Sequence, residues 1–364
     1  MNTKLLLLIG CLLTTSFLQA QNAYRYNEPF LFNDGWITNN IESHDIDSQL
    51  IYAMLKKMGQ NENHNIHSLL LVKNNELILE EYFLHYNPEK LHDLRSSTKS
   101  ITSLLVGIAV DKGFIKSIDD PIFKYLPRKK HQVYLKGEKR KITIRHLLTM
   151  SSGLDCNDWE KKSPGQEDKM YKKKDWIEHV LNLSTINEPG EKTAYCTGGV
   201  VLLGQVIAAA TGQNYDDFAR KYLFEPLQIS NYRWRYFNQN KNVDAGGHLF
   251  LTPRDMAKIG QLVLNNGLWH GKKIVSESWV KNSTSSQTSL GGVNFGYLWW
   301  NVDLQYKADP INTIFASGNG GQYIFIIPKL DLVCVFTGGN YNSEKDKLPF
   351  YLIQNSILPA ISFP

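Results

Sequence analysis

The pattern of apolar and polar positions first becomes regular over residues 67–84, which read HSLLLVKNNELILEEYFL. Two short runs rich in strand-forming residues are separated there by Asn74-Asn75, and both asparagines tolerate a positive φ. The pattern predicts a β-hairpin that turns at these two residues. We expect this hairpin to begin the core.

A second regular pattern covers residues 98–112, where apolar side chains recur at helical spacing. Gly113 follows directly and is a candidate helix C-cap. We therefore predict a buried helix over this segment, with one apolar face formed by Ile101, Leu104, Leu105, Ile108 and Ala109.

The middle of the chain, from about 115 to 245, lacks strong strand signals but has helical patterns at 198–212 and 215–227. One more helix is predicted at about 253–265. Strand character returns at 312–340, where three β-rich runs are broken by SGNGG and by a PKLD turn. This order predicts an α+β (mixed α/β) fold, with an antiparallel sheet built from both chain ends and flanked by helices.

The same pattern sets the expected domain organisation. Residues 21–364 are predicted to form one domain, with a sheet subdomain at about 60–112 and 245–360 and an inserted helical subdomain at about 113–244. Residues 1–20 have a short basic start, an apolar run and Ala20, which is typical of a secretory signal peptide. Acylation at Cys11 is the alternative, but the apolar residues that continue past Cys11 favour soluble export.

The composition is typical of a globular protein and excludes only a disordered chain. The chain has 364 residues, 42% of them hydrophobic, and a formal charge of +5 from 40 basic and 35 acidic residues. Basic runs at 127–141 and 169–175 could bind nucleic acid or an anionic polymer, but solvated lysine-rich loops are favoured, so no nucleic-acid partner is expected. No later apolar run predicts an integral membrane segment. The oligomeric state cannot be inferred.

Candidate chemistry begins at Ser96 and Lys99, which are three residues apart at the start of the predicted helix. At this spacing their side chains share a face, about 5–6 Å apart at Cβ. A neutral lysine amine could accept the serine proton, and burial at the helix would have to lower its pKa. A helix N-terminus would also stabilise an oxyanion.

A second pair with the same spacing, Ser278 and Lys281, shows that chance can produce this pattern. It lies in a polar stretch, and no amphipathic helix is expected to follow. Local evidence therefore favours Ser96 over Ser278, but it leaves a plain helix cap at Ser96 as an open alternative.

Six ordered blocks resemble the serine β-lactamase and penicillin-binding-protein-like family, closest to the class C-like branch with its esterases and aminohexanoate-oligomer hydrolases. The resemblance covers roughly residues 65–340 and implies a β-lactamase/transpeptidase-like fold. The blocks are SSTK at 96–99, TIRHLLTMSSGL at 143–154, EPGEKTAYCTGGVVLLGQVIAAATG at 188–212, AGGHLFLTPRDMAKIGQLVLNNG at 245–267, GYLWW at 296–300 and SGNGGQYIFIIP at 317–328.

The resemblance implies roles for the first two family motifs. Ser96 and Lys99 match the first motif, S-x-x-K, completely. The second, usually Tyr-x-Asn, reads Tyr195-Cys196-Thr197, so its asparagine is replaced. Tyr195 would face Ser96 and exchange protons with Lys99, and Thr197 would take the substrate-facing position.

The third family motif, normally Lys or His followed by Thr or Ser and then Gly, corresponds to Ala316-Ser317-Gly318. The basic residue is therefore missing. The resemblance implies that Ser317 and Gly318 border the substrate and that the Asn319 backbone N–H completes an oxyanion hole with Ser96. Since the family uses that cation to hold substrate carboxylates, penicillins and D-Ala-D-Ala peptides become less favoured substrates.

Two cysteines, Cys156 and Cys196, fall in blocks that the family places beside its active site. They could form a disulfide that fixes Tyr195 and leaves Cys334 free and buried, or they could be two separate small apolar residues. No C-x-x-C or H-E-x-x-H motif indicates a metal site, and no cofactor is needed.

Two histidines also lie in matching blocks. His146 is expected to pack or to cap a helix, since Lys99 and Tyr195 already fill the catalytic role, and His248 has no assigned role. Four aromatic residues could line a cleft, although core packing is expected for at least half of them: Trp234, Tyr236, Trp299 and Trp300.

The leading hypothesis is an exported serine hydrolase that cleaves an ester or amide through an acyl-enzyme on Ser96. A DD-peptidase or β-lactamase is the alternative within enzymes. A catalytically silent module that binds a cell-wall fragment or peptide is the alternative outside them.

Overall fold

The computed structural model describes residues 26–126, 131–237 and 242–362. The predicted signal peptide, Cys11 and part of the basic run at 127–141 lie outside these residues. Among the described residues, no helix is long and apolar enough to cross a membrane.

The strands are short in the middle of the chain and longest at its two ends. In chain order they are β1 (Ile37–Thr38), β2 (Ile66–Lys73), β3 (Glu76–Tyr82), β4 (His92–Asp93), β5 (Tyr232–Trp234), β6 (Leu249–Leu251), β7 (Leu268–Trp269), β8 (Lys272–Lys273), β9 (Thr288–Leu290), β10 (Val293–Phe295), β11 (Trp300–Tyr306), β12 (Asp309–Gly318), β13 (Gln322–Ile327) and β14 (Leu332–Gly338).

Within the described part of the chain, the largest sheet has nine strands in the order β1-β3-β2-β14-β13-β12-β11-β10-β9. All its neighbours are antiparallel except β1 and β3. The predicted hairpin is β2–β3, and Asn74 and Asn75 turn with φ of 53° and 66°. The pairing of β2 with β14 joins the two chain ends, so the predicted α+β class with an antiparallel sheet is confirmed.

The helices cover both faces of this sheet. They are α1 (Ser48–Gln60), α2 (Thr98–Asp111), α3 (Ile144–Leu148), α4 (Glu167–Met170), α5 (Trp176–Asn182), α6 (Thr197–Thr211), α7 (Tyr215–Ala219), α8 (Pro253–Leu264), α9 (Glu277–Thr284), α10 (Leu348–Leu352) and α11 (Leu358–Ala360). The predicted helix at 215–227 is α7 continued by a π-helical stretch, Arg220–Phe224. The subdomain boundaries stay a prediction.

Two apolar clusters fill the space on either side of the sheet, because side chains alternate between the faces of a strand. Leu70 and Val72 of β2 join the cluster that holds α2, α6 and α8. Leu69 and Leu71 face the other way and pack with α1 and the C-terminal helices. The catalytic candidates all belong to the first face.

Helix α2 is buried as predicted, and Gly113 follows it with a φ of 74°. It crosses α9 so closely that a Cβ on Gly107 would lie 2.3 Å from the Trp279 ring. Gly107 is therefore the residue that lets these two helices pack.

The expectation for the second S-x-x-K pair was wrong in one respect, because Ser278 and Lys281 lie on a short helix, α9. Trp279 and Val280 between them are buried, whereas both members of the pair face solvent. Lys281 pairs with Glu277 instead of with a serine. The polar composition of the segment concealed its two buried apolar positions.

We expect Gly107→Ala to lower the free energy of unfolding by about 1–3 kcal/mol, since an added methyl group would overpack the α2–α9 contact. Denaturant unfolding measures this change. Gly59→Ala on α1 is the matched control, because a Cβ there meets no atom within 4 Å. It should be neutral or stabilise by about 0.5–1 kcal/mol. Equal effects of the two changes would contradict the packing assigned to Gly107.

Candidate active site

Ser96 lies in a single 3₁₀ turn, Arg95–Ser97, that runs directly into α2. Arg95 has a φ of 49°, an unusual value for a residue other than glycine, and Asp93 accepts a hydrogen bond from its backbone N–H at 2.9 Å. The Ser97 hydroxyl donates to the Gln322 carbonyl at 2.8 Å. These contacts fix a strained turn against the sheet, and such strain concentrates at functional sites.

Lys99 follows one helical turn later and is buried, with 3% of its surface exposed. Its Nζ donates to Ser96 Oγ at 3.0 Å and to the Gly246 carbonyl at 2.6 Å. Nζ also lies 5.0 Å from the centre of the Tyr195 ring. The structure thus brings the first two predicted residues into direct contact.

Tyr195 completes this group, because Lys99 and the nearby Ser96 side chain both act to lower the pKa of its phenol. Its backbone carbonyl accepts from the Asp158 N–H at 2.8 Å. The next residue, Cys196, forms a disulfide with Cys156, which is one of the two alternatives open from sequence. Cys334 is free and buried. The bridge joins the segment that carries Tyr195 to the loop that carries Asp158.

Three carboxylates that no sequence motif marked surround Lys99: Asp158, Glu167 and Asp244. Asp158 accepts from the backbone N–H groups of Glu167 and Thr197 at 2.8 and 2.7 Å. Asp244 is fully buried, and neither carboxylate oxygen has a hydrogen-bond partner among the described residues. Burial raises the pKa of Asp158 and of Asp244 to about 6.

These charges overturn the expectation that burial lowers the pKa of Lys99. Burial does act in that direction, but Tyr195 and the three carboxylates outweigh it, so the pKa of Lys99 is raised. Burial also raises the pKa of Tyr195, against the opposing effects of Lys99 and of Ser96. A charged Lys99 donates to Ser96 Oγ, which leaves the serine proton directed at Tyr195.

Two predicted substrate contacts are not brought to the cleft. Thr197 is fully buried, and its hydroxyl donates to Glu167 at 3.2 Å, so it supports the carboxylates. Ser317 is paired with Tyr323 across β12 and β13, and the Tyr323 ring packs in the cluster on the far face of the sheet. Side-chain alternation along β12 explains this, since Ala316 faces the α2 side.

Gly318 and Asn319 do lie beside the nucleophile turn. A Cβ on Gly318 would be 2.1 Å from the Leu94 carbonyl oxygen, so only glycine lets β12 approach this closely. β12 extends past its last partner on β11, Trp300, so that no described strand pairs with residues 316–318 on that edge. The Asn319 side chain is held outside by Asn342 through two bonds of 2.8 Å. The role of the Asn319 backbone N–H as an oxyanion donor stays a prediction.

The histidines and aromatic residues separate into structural and cleft positions. His146 caps α3 through a reciprocal bond pair with Thr143, as expected. His248 lies beside the nucleophile turn, and its Nδ1 is 2.7 Å from Asp93 Oδ2. Trp234 and Trp299 are core residues, and Tyr236 is exposed and hydrogen-bonded to Asp216. The remaining candidate, Trp300, stacks near Tyr195, with ring centres 6.2 Å apart.

Sequence reasoning missed Trp159, which stacks on Tyr195 with ring centres 5.1 Å apart and planes 4° apart. It also missed the three carboxylates around Lys99. Only their place between the matching blocks could have drawn attention to Asp158 and Trp159. In the described part of the chain, no group of three or more His, Cys, Asp or Glu residues could hold a metal ion.

A family model described as Beta-lactamase matches residues 58–354 of this chain. The chain belongs to this family. Its structural neighbours are penicillin-binding-protein-like and class C β-lactamase-like serine hydrolases.

Individual relatives of the β-lactamase family are distant. A 6-aminohexanoate-dimer hydrolase from Paenarthrobacter ureafaciens is 23% identical over 74% of this chain and 71% of its own length. EstCE1, described as a hydrolase with promiscuous acyltransferase activity, superposes with a TM-score of 0.70 at 13% identity, over 85% of this chain and 98% of its own. A class C β-lactamase mutant superposes with a TM-score of 0.63 at 14% identity, over 86% of this chain and 97% of its own. The two structures show a shared fold.

We expect protein that begins at Gln21 to contain one reactive thiol, Cys334, when it is denatured without reductant, because Cys156 and Cys196 are bridged. Thiol titration measures this number, and three thiols would contradict the bridge. Reduction should lower the free energy of unfolding by about 4 kcal/mol, since the bridge closes a loop of about 40 residues. The reduced wild type should then match the Cys156→Ala/Cys196→Ala variant.

Proposed function

We propose that the protein is a serine hydrolase that cleaves an ester or amide bond through an acyl-enzyme on Ser96. The observation that carries this proposal is the position of Ser96 between Lys99 and Tyr195, with Oγ 3.0 Å from the lysine Nζ and close enough to the phenol to affect its pKa. The β-lactamase-family membership of the chain supports the same class of chemistry.

The charges in the site favour a particular division of roles. Lys99 stays protonated, orients Ser96 Oγ and stabilises a negative charge on the phenol oxygen. Tyr195 in its phenolate form accepts the Ser96 proton during attack on the carbonyl and then passes it to the leaving atom. The backbone N–H groups of Ser96 and Asn319 stabilise the oxyanion, and water releases the acid from Ser96.

Ala316 bears on the alternative of β-lactam or DD-peptidase chemistry. It is buried and apolar at the position where the family motif has a cation, so a substrate carboxylate loses that partner. Esters and amides without such a carboxylate are therefore the favoured substrates. The intact contacts among Ser96, Lys99 and Tyr195 count against a silent binding module.

We also propose that the protein is exported. The signal-peptide pattern of residues 1–20 supports this, and so does the Cys156–Cys196 disulfide, since such bridges persist in oxidising compartments. The mass of the protein recovered from its native cells tests this. A chain that begins at Gln21 is expected, and an intact Met1 or an acylated Cys11 would contradict soluble export.

We expect a broad fluorophosphonate probe to add once to the wild-type protein and not to Ser96→Ala, which should also lose esterase turnover by at least about 10³-fold. Intact-mass measurement and ester hydrolysis report the two effects. Ser278→Ala is the matched control, since it removes the serine of the second S-x-x-K pair and should change neither. Wild-type turnover in Ser96→Ala would end the proposal, and labelling with penicillin at a similar rate would favour the β-lactam alternative.

We expect kcat/KM for a non-ionising ester to rise with pH from 7 to beyond 9, with a slope of about tenfold per pH unit. The reason is that burial raises the pKa of Tyr195, so the reactive phenolate is a minor form at neutral pH. The raised pKa of Lys99 keeps its amine protonated over this pH range. Initial rates, corrected for spontaneous hydrolysis and checked against Tyr195→Phe, give the profile. A plateau reached at pH 7 would contradict these roles.

A further inference from the structure

Among the described residues at the reactive centre, Trp159 is the most exposed large aromatic side chain, with 55% of its surface accessible. Its ring lies parallel to the Tyr195 ring and covers it from outside. An exposed tryptophan at a cleft is an unusual use of apolar surface, since this side chain is normally buried or bound to a partner.

Several contacts hold Trp159 in this position. Trp159 follows the disulfide-bonded Cys156 by three residues, and its backbone N–H donates to the Asn157 side chain at 3.1 Å. The edge of its ring rests on Gly291, where a Cβ would lie 3.0 Å from it. Gly291 belongs to the β9–β10 turn, and Thr193 fixes the same hairpin by donating to the Ser289 carbonyl at 2.8 Å. The ring is thus held at one face and one edge, and 55% of the surface of Trp159 stays accessible.

The chemistry tells which part of a substrate meets this surface. In the acylation step the bond from Ser96 Oγ to the carbonyl carbon forms and the bond from that carbon to the leaving oxygen or nitrogen breaks. The serine proton moves through Tyr195 to the leaving atom. That atom must therefore come within hydrogen-bond distance of the Tyr195 phenol, and the group attached to it extends over the side that Trp159 covers.

We propose that Trp159 is a binding platform for the leaving group, which selects esters and amides whose alcohol or amine part carries a flat apolar group such as a phenyl ring. The inference rests on the proposed function and deepens it. Trp300, which is half-buried and also stacks near Tyr195, extends the apolar wall on the sheet side. Offset stacking of a substrate ring on the indole would bury surface that is exposed in the free enzyme.

Benzyl butyrate and ethyl butyrate provide a matched pair, since both give the same butyryl-enzyme and differ only in the leaving alcohol. The ratio of their kcat/KM values therefore reports acylation alone. We expect Trp159→Ala to lower the benzyl-to-ethyl ratio by about tenfold, mainly through a higher KM for the benzyl ester. A tenfold change is the upper range expected for the loss of one aromatic contact. Trp159→Phe should restore most of the ratio.

Tyr351→Ala is the control for loss of an exposed aromatic ring, because Tyr351 is 62% exposed on α10, on the far side of the sheet. It should leave the ratio unchanged. Equal losses for both esters in Trp159→Ala would overturn the platform and leave only a role in positioning Tyr195. A preference of the wild type for the ethyl ester, or no turnover of either ester while Ser96 still reacts with the fluorophosphonate probe, would overturn it as well.

Failure of the proposed function has a different result. In that case no variant, including the wild type, would form a Ser96 adduct with the fluorophosphonate probe. Because the labelling rate of Trp159→Ala is measured beside its ester kinetics, a misfolded variant is also recognised by loss of the adduct. The expected result is that Trp159→Ala still forms the Ser96 adduct and shows a reduced benzyl-to-ethyl ratio.

Discussion

The burial of one positive charge is the constraint on which the site depends. An ammonium group removed from water is costly unless opposite charges or hydrogen bonds compensate it. Lys99 has the Gly246 carbonyl, the Ser96 hydroxyl and three nearby carboxylates for this purpose. The carboxylates are themselves taken from water, which explains why the pKa of Asp158 rises. Neighbouring loops are therefore arranged around α2 by charge as much as by apolar packing.

One short loop brings several of these parts together. Cys156 anchors it to the Tyr195 segment, Asp158 contacts the start of α6, and Trp159 covers the tyrosine ring. A change of the bridge would therefore affect charge, ring packing and access to the cleft at once. Thr197, at the start of α6, is buried although the family has a polar, substrate-facing residue at that position. The reason is that its hydroxyl donates a hydrogen bond to Glu167.

The parts that sequence could predict depend on local patterns. The β2–β3 hairpin has its turn chemistry in Asn74-Asn75, and α2 has its apolar spacing, so both follow from neighbouring residues. Ser96 and Lys99 lie on one helix turn, and their contact follows from helix geometry. The raised pKa of Lys99 could not be predicted, because Asp158 and Asp244 come from segments about 60 and 145 residues away. Nor could α9, since only two of its central residues reveal an apolar face.

The pairing of β2 with β14 has a consequence for how the chain reaches its native state. These neighbours in the middle of the sheet are separated by more than 250 residues, and the Ser96 turn is fastened to Gln322, 225 residues further along. Contacts of such high sequence separation form slowly and cannot form before both partners have been synthesised. A nascent chain that ends before β14 therefore lacks the central strand pair. One that ends before Gln322 also lacks the contact that fastens the nucleophile turn. Until β14 has been synthesised, the polypeptide stays without the strand pair that closes the middle of its sheet.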